Sequence, residues 1–131
     1  MRIQRRDGAT PSIQAAAGAL VVAGHAFTPL LRFRGGKGVA TGAGAFAVLA
    51  PRATLAAVAV FAIVVAISRV VSLASVLAAL TLPVAAHFLG AQRPVTAAAA
   101  AVAALVIVRH RDNLVRLLRG TEHRLGAQGR A

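Results

Sequence analysis

The 131-residue sequence has no cysteine, no tryptophan and no tyrosine, and only three acids: Asp7, Asp112 and Glu122. Without cysteine there is no disulfide, no thiolate nucleophile and no zinc–thiolate centre. Three scattered acids supply no paired carboxylates, and the HExxH, CxxC and GxSxG patterns are absent. Aromatics at 4% give bases little to stack on. The formal net charge of +12 is therefore not read as a nucleic-acid footprint, because the cations sit at the ends of apolar runs and form no single stripe. Charged residues are also scarce, at 14%, against 58% hydrophobic. A soluble domain carries about 25% charge and about 45–50% apolar residues. The imbalance excludes disorder, argues against a water-soluble globule and points to a polytopic membrane protein.

Five apolar stretches follow a basic tail, residues 1–12: Ile13–Leu31, Val39–Ala50, Ala53–Ser68, Leu73–Gly90 and Val95–Val108. The N-terminal stretch has no clear signal-cleavage design. A straight helix needs about 20 residues to cross a hydrocarbon core of about 30 Å. Most stretches are marginal and Val39–Ala50 is short, which suits a broken span lining a protein cavity. The expected fold is an all-α polytopic integral membrane bundle of four to five spans over residues 13–109, with short or broken helices. Residues 110–131 form a C-terminal amphipathic segment. With the Arg32–Lys37 loop on the cytoplasmic side, Arg69 and the C-terminal arginines fall inside and Arg52 and Arg93 outside, as the positive-inside rule prefers. All three polar clusters of the chain then reach one membrane face.

The first cluster is GHAFTPLLRFRGGKGVATGAG, residues 24–44. Gly35, Gly36 and Gly38 free successive backbone N–H groups to form an anion nest, and Lys37, the only lysine, adds a point charge. It is not a Walker A loop, because Gly38 replaces the required Ser or Thr. An ordinary basic loop with flexible glycines is the rival reading. His25 lies at a depth where a partner is needed, and alone it reads as a satisfied structural residue. The second cluster is SRVVSLAS, residues 68–75, in which Ser72 and Ser75 share a helical face. Its bland reading is an N-cap for the next span. Its functional reading is a hydroxyl that orients a base or a substrate. The third is RHRDNLVRLLRGTEHRLG, residues 109–126, a short amphipathic surface helix expected to be capped by Asn113 and ended by Gly120. His110 stands at its junction with the last span, where an imidazole can exchange protons near neutrality. The rival reading is a stop-transfer cluster after the final span with His110 incidental, which accounts for the arginines better than for the His-Arg-Asp-Asn set. Chemistry must then rest on His, Ser, Lys, Arg and backbone dipoles, which suits transfer between anionic substrates and not a metal-dependent reaction.

In order and spacing, these three segments closely resemble the bacterial acyl-phosphate-dependent glycerol-3-phosphate acyltransferases, the PlsY family, over residues 18–124. The resemblance implies an inner-membrane enzyme whose site faces the cytoplasm. It would move a fatty acyl group from acyl phosphate to the sn-1 hydroxyl of glycerol 3-phosphate, giving lysophosphatidic acid for phospholipid synthesis. Neither cofactor nor metal is implied, and the partners are the two substrates and membrane lipid, with no nucleic acid. By the same resemblance, Gly35, Gly36, Lys37 and Gly38 hold a substrate phosphate and His25 opens their motif. Ser72 and His110 hydrogen-bond near the reacting carbonyl as the catalytic pair. Asn113 positions substrate or His110, and Glu122 closes the Gly-Thr-Glu turn.

The resemblance departs at the N-terminus. Residues 1–17 carry nothing like the family's earlier Gly-Ser-Gly-Asn motif, and family members are longer. A shortened copy or a late start is therefore expected. The rival from another class is a non-catalytic membrane remnant that only packs or binds anionic lipid.

Overall fold

A computed structural model describes residues 10–26 and 39–126, with side chains described over 11–21 and 39–126. Among the described residues six helices follow in order: α1 (Thr10–Ala26), α2 (Val39–Leu49), α3 (Pro51–Ser68), α4 (Val71–Phe88), α5 (Arg93–Arg109) and α6 (Arg111–Leu118). Among the described residues there is no strand. The first five helices fall on the five apolar stretches. By length and apolarity α3 and α4 each suffice to cross a membrane, and α5 with α6, bent by 56°, makes a third candidate. The shorter α2, of 11 residues, is apolar but below the length a span needs.

The corners follow from local chemistry. Pro51 has no N–H to donate and pushes its predecessor out of the helical region. Ala50 accordingly sits at φ −147°, and α3 begins with Pro51 in its first position. At the end of α4, Gly90 takes φ +78°, its N–H bonds the His87 carbonyl at 3.2 Å and that of Ala91 bonds Ala86 at 2.9 Å. This paired closure of the last turn is a Schellman motif.

The interior is built from small residues. Ala15, Ala53, Ala57, Ala74, Ala86 and Ala99 are buried, with Phe46 the largest side chain fully enclosed. A Cβ on Gly18 would lie 3.2 Å from Leu49 Cδ1, so α1 and α2 approach closely there. Large side chains point outward instead: Leu55, Ile63 and Ile67 from α3, Val84 and Phe88 from α4. Small inside and large outside is the pattern of helices that pack backbone to backbone in lipid, where apolar association gains little over lipid contact.

Candidate active site

One end of the bundle gathers the end of α3, the start of α4, the end of α5 and all of α6. Arg119 and Gly120 close α6 with a second Schellman motif: Gly120 at φ +70°, its N–H 3.1 Å from the Leu117 carbonyl, and the Thr121 N–H 2.8 Å from Arg116. Gly120 ends the helix as its sequence position suggests. The reversed chain lays Glu122 back over the helix it has just left.

There the Glu122 carboxylate becomes a hub. Asn113 Nδ2 donates to Oε1 at 2.8 Å, Ser72 Oγ donates to the same oxygen at 3.2 Å, and Arg116 Nε donates to Oε2 at 2.8 Å. The Glu122 side chain is 7% exposed and that of Arg116 is 46% exposed. Burial pushes the carboxyl pKa up. The hydrogen bonds from Asn113 and Arg116, the charge of Arg116 and the Ser72 bond outweigh it and hold the group below its ordinary 4.5. The ionised form is therefore the one the fold selects.

These contacts correct two capping expectations. Asn113 does not cap α6, because the helix begins at Arg111 with His110 as its N-cap, and the Asn113 amide donates to Glu122. Neither Ser72 nor Ser75 caps α4. Val70 holds that position, and its N–H is taken by Ser68 Oγ at 3.1 Å.

His110 is 5% exposed, and its Nδ1 lies 2.7 Å from the Val106 carbonyl. A carbonyl only accepts, so in this bond Nδ1 is the nitrogen that carries a proton. Val106 connects this ring to a second feature. Its side chain lines a cavity of about 410 Å³ between α2 and α4, walled by α3 and α5. The lining is apolar apart from Thr54 and Ser75, and the Thr54 hydroxyl is already bonded to the Ala50 carbonyl. Ser75, 3% exposed, lines the cavity one turn beyond Ser72, whose own hydroxyl is committed to Glu122.

The structure therefore joins Ser72 and Asn113 through one carboxylate and sets His110 at the start of the helix that bears Asn113. Gly35, Gly36, Lys37 and Gly38 lie outside the described residues, as does the His25 side chain, although the His25 backbone belongs to α1. The first described residues after Lys37 and Gly38, Val39 and Ala40, line the same cavity as Val71, Ser75 and Val106. Arg116 and Ser75 escaped the sequence reading as site residues, and Glu122 entered it only as the close of a turn. Two signals were present: Glu122 is the only glutamate in an arginine-rich segment, and Ser75 shares the face of Ser72.

A helical bundle with small residues inside, apolar residues outside, and one polar end beside an apolar cavity defines a membrane-embedded helical protein. The comparisons are specific. The family described as Glycerol-3-phosphate acyltransferase matches residues 3–120. The glycerol-3-phosphate acyltransferase of Halorhodospira halophila is 42% identical over 91% of this chain and 60% of its own length. That of Endomicrobium trichonymphae is 44% identical over 87% and 56%. The crystal structure of PlsY, an integral membrane glycerol 3-phosphate acyltransferase, in its glycerol 3-phosphate form superposes with a TM-score of 0.81 at 36% identity, over 88% of this chain and 57% of that one. Its lysophosphatidic acid form gives 0.74 at 38% identity, over 80% and 54%. The chain belongs to the glycerol-3-phosphate acyltransferase family, and it spans somewhat more than half the length of these relatives.

Proposed function

We propose that the chain transfers a fatty acyl group from acyl phosphate to the sn-1 hydroxyl of glycerol 3-phosphate, releasing lysophosphatidic acid and inorganic phosphate. The observation that carries this reading is the double use of Val106, whose side chain lines the apolar cavity while its carbonyl orients His110. An acyl chain seated in the cavity brings its carbonyl to the cavity's polar edge, beside the imidazole and the Ser75 hydroxyl. The glycerol hydroxyl oxygen attacks that carbonyl carbon, and the bond from carbon to the phosphate oxygen breaks. His110 Nε2 takes the hydroxyl proton, and phosphate leaves with the electron pair. Ser72, Asn113 and Arg116 act through Glu122 to fix this end of the bundle.

Lys37 and the glycines Gly35, Gly36 and Gly38 hold the phosphate of glycerol 3-phosphate, with His25 and Asn113 supporting substrate placement. Their position just ahead of the α2 N-terminus suits an anion, because that end of a helix carries unpaired N–H groups and partial positive charge. The polar end faces the cytoplasm of a bacterial inner membrane. In support, Arg69, Arg109, Arg111, Arg116, Arg119 and Arg124 belong to this end, while Arg52 and Arg93 begin helices at the other.

The test is an assay of the protein in lipid with acyl phosphate and glycerol 3-phosphate, scored for lysophosphatidic acid. Product is expected. Its absence, with acyl phosphate unconsumed, refutes the reading in favour of a membrane protein that only packs or binds anionic lipid. Ala78→Leu, which fills the cavity from α4, should shift the preferred donor to shorter chains. Each methylene excluded costs about 0.8 kcal/mol, about a fourfold loss. An unchanged chain-length profile would move the acyl chain elsewhere.

A further inference from the structure

Arg69 enters the sequence reading as a loop cation, yet its backbone is the unusual part. It stands at φ +58°, the only non-glycine residue with positive φ among the described residues. In that conformation its N–H closes α3 on the Val65 carbonyl at 2.9 Å, and its own carbonyl turns outward to accept the Leu125 N–H at 2.8 Å. The next residue, Gly126, takes φ +83°, and a Cβ there would lie 2.8 Å from Arg69 Nη1. The segment 121–126 is thus pinned across the α3–α4 corner at one point by Arg69. At another it is pinned by Glu122, which bonds Ser72 three residues beyond Arg69.

The geometry points to Arg69 as a positioning residue: its left-handed turn fixes the 121–126 segment and, through it, the Glu122 carboxylate against Ser72 and Asn113. Arg69 touches no reacting atom. It acts by setting where the strap crosses, and the strap sets the hub. Left-handed backbone is disfavoured for residues with a Cβ. Strain of this kind persists where surrounding contacts over-determine it, and here the fold retains it at the end carrying the polar cluster. This inference rests on reading that end as the reacting end, but its test reads no turnover, so the two fail separately.

Glu122 is the sole glutamate in the chain. Selective ¹³C-glutamate labelling in micelles therefore gives one side-chain carboxyl resonance that reports the hub directly. Wild type and Arg69→Gly, which keeps the left-handed turn, should give the same resonance titrating below 4.5. Arg69→Val, whose branched side chain resists that turn, should move the resonance and return its midpoint to the ordinary value, with helix content by circular dichroism unchanged. Gly126→Ala strains the strap from its own end and serves where Arg69→Val fails to fold. The guanidinium tip can swing aside, but the +83° backbone cannot relax. It should displace the resonance in the same direction. The proposal is overturned if Arg69→Val or Gly126→Ala titrates like wild type, or if Arg69→Gly disturbs Glu122 as much as valine does.

Discussion

The α3–α4 and α4–α5 corners make the same reversal with different residues. At the α4–α5 corner Gly90 takes φ +78°, and a Cβ built on it would meet nothing within 4 Å. At the α3–α4 corner the left-handed residue is Arg69, its carbonyl is bonded to Leu125, and Gly126 is pressed against its guanidinium. Glycine adopts positive φ without steric penalty, whereas a residue with a Cβ loses about 1–2 kcal/mol. A corner that only turns the chain uses the cheap residue. The corner that also holds the 121–126 segment, and with it Glu122 against Ser72, uses the strained one. The two ends of the bundle therefore differ in what their geometry must accomplish, and mutation can test that difference.

The largest contrast lies between His110 at the polar end and His87 at the other. His110 is buried and oriented by the Val106 carbonyl, while His87 is exposed near the α4–α5 corner, with its ring edge-on to Phe88 at 5.4 Å. His110→Ala should lower lysophosphatidic acid formation by roughly 10²- to 10⁴-fold, the usual contribution of a positioned acid–base group. His87→Ala should leave it unchanged. Equal effects from both would mean that the polar end is not the reacting end.

A smaller contrast separates two carboxylates. Asp112 sits 3.9 Å from Arg111 with both side chains about three-quarters exposed (74% and 77%), so Asp112→Ala should not measurably change the melting temperature. Glu122→Ala removes the acceptor shared by Ser72, Asn113 and Arg116. Stranding buried donors costs about 1–3 kcal/mol, and the half-exposed Arg116 keeps the loss in the lower part of that range. The pH dependence has a definite sign. The folded carboxyl titrates below the unfolded one, so its contribution is fully present above 4.5 and is lost as pH falls through the lowered folded value. Thermal melts in detergent should show this acid limb in wild type and a weaker one in Glu122→Gln. Identical acid limbs would remove Glu122 from the hub.

Much of this fold was legible because hydropathy marks helices strongly. Apolar stretches separated by Gly, Pro and Arg became α1 to α5, and Gly120 announced the end of α6. What sequence could not give was the return of the chain after Gly120. Nothing local indicates that residue 122 will meet residue 72, since the two are 50 residues apart and meet only after the chain reverses at Gly120. The cap assignments failed for the same reason. Asn113 and Ser72 have good capping chemistry, but a buried carboxylate within reach outcompeted the helix ends for their side chains. Ser75 illustrates the complement: periodicity placed it on the face of Ser72, and only the arrangement of α2 and α5 decided that this face opens on a cavity.

The smallest prediction returns to the corners and uses one backbone energy in opposite directions. Gly90→Ala meets no neighbour, so its cost is that of a Cβ at φ +78°, about 1 kcal/mol. Arg69→Gly relieves the same strain at φ +58°. The gain is smaller than the cost at Gly90, because glycine also widens the unfolded ensemble. Thermal melts of the two variants at neutral pH should therefore move apart, with Gly90→Ala lower and Arg69→Gly level with wild type or slightly higher. If Arg69→Gly falls as far as Gly90→Ala, the guanidinium holds the strap by its own contacts. The left-handed backbone would then be a consequence of that hold, and not its means.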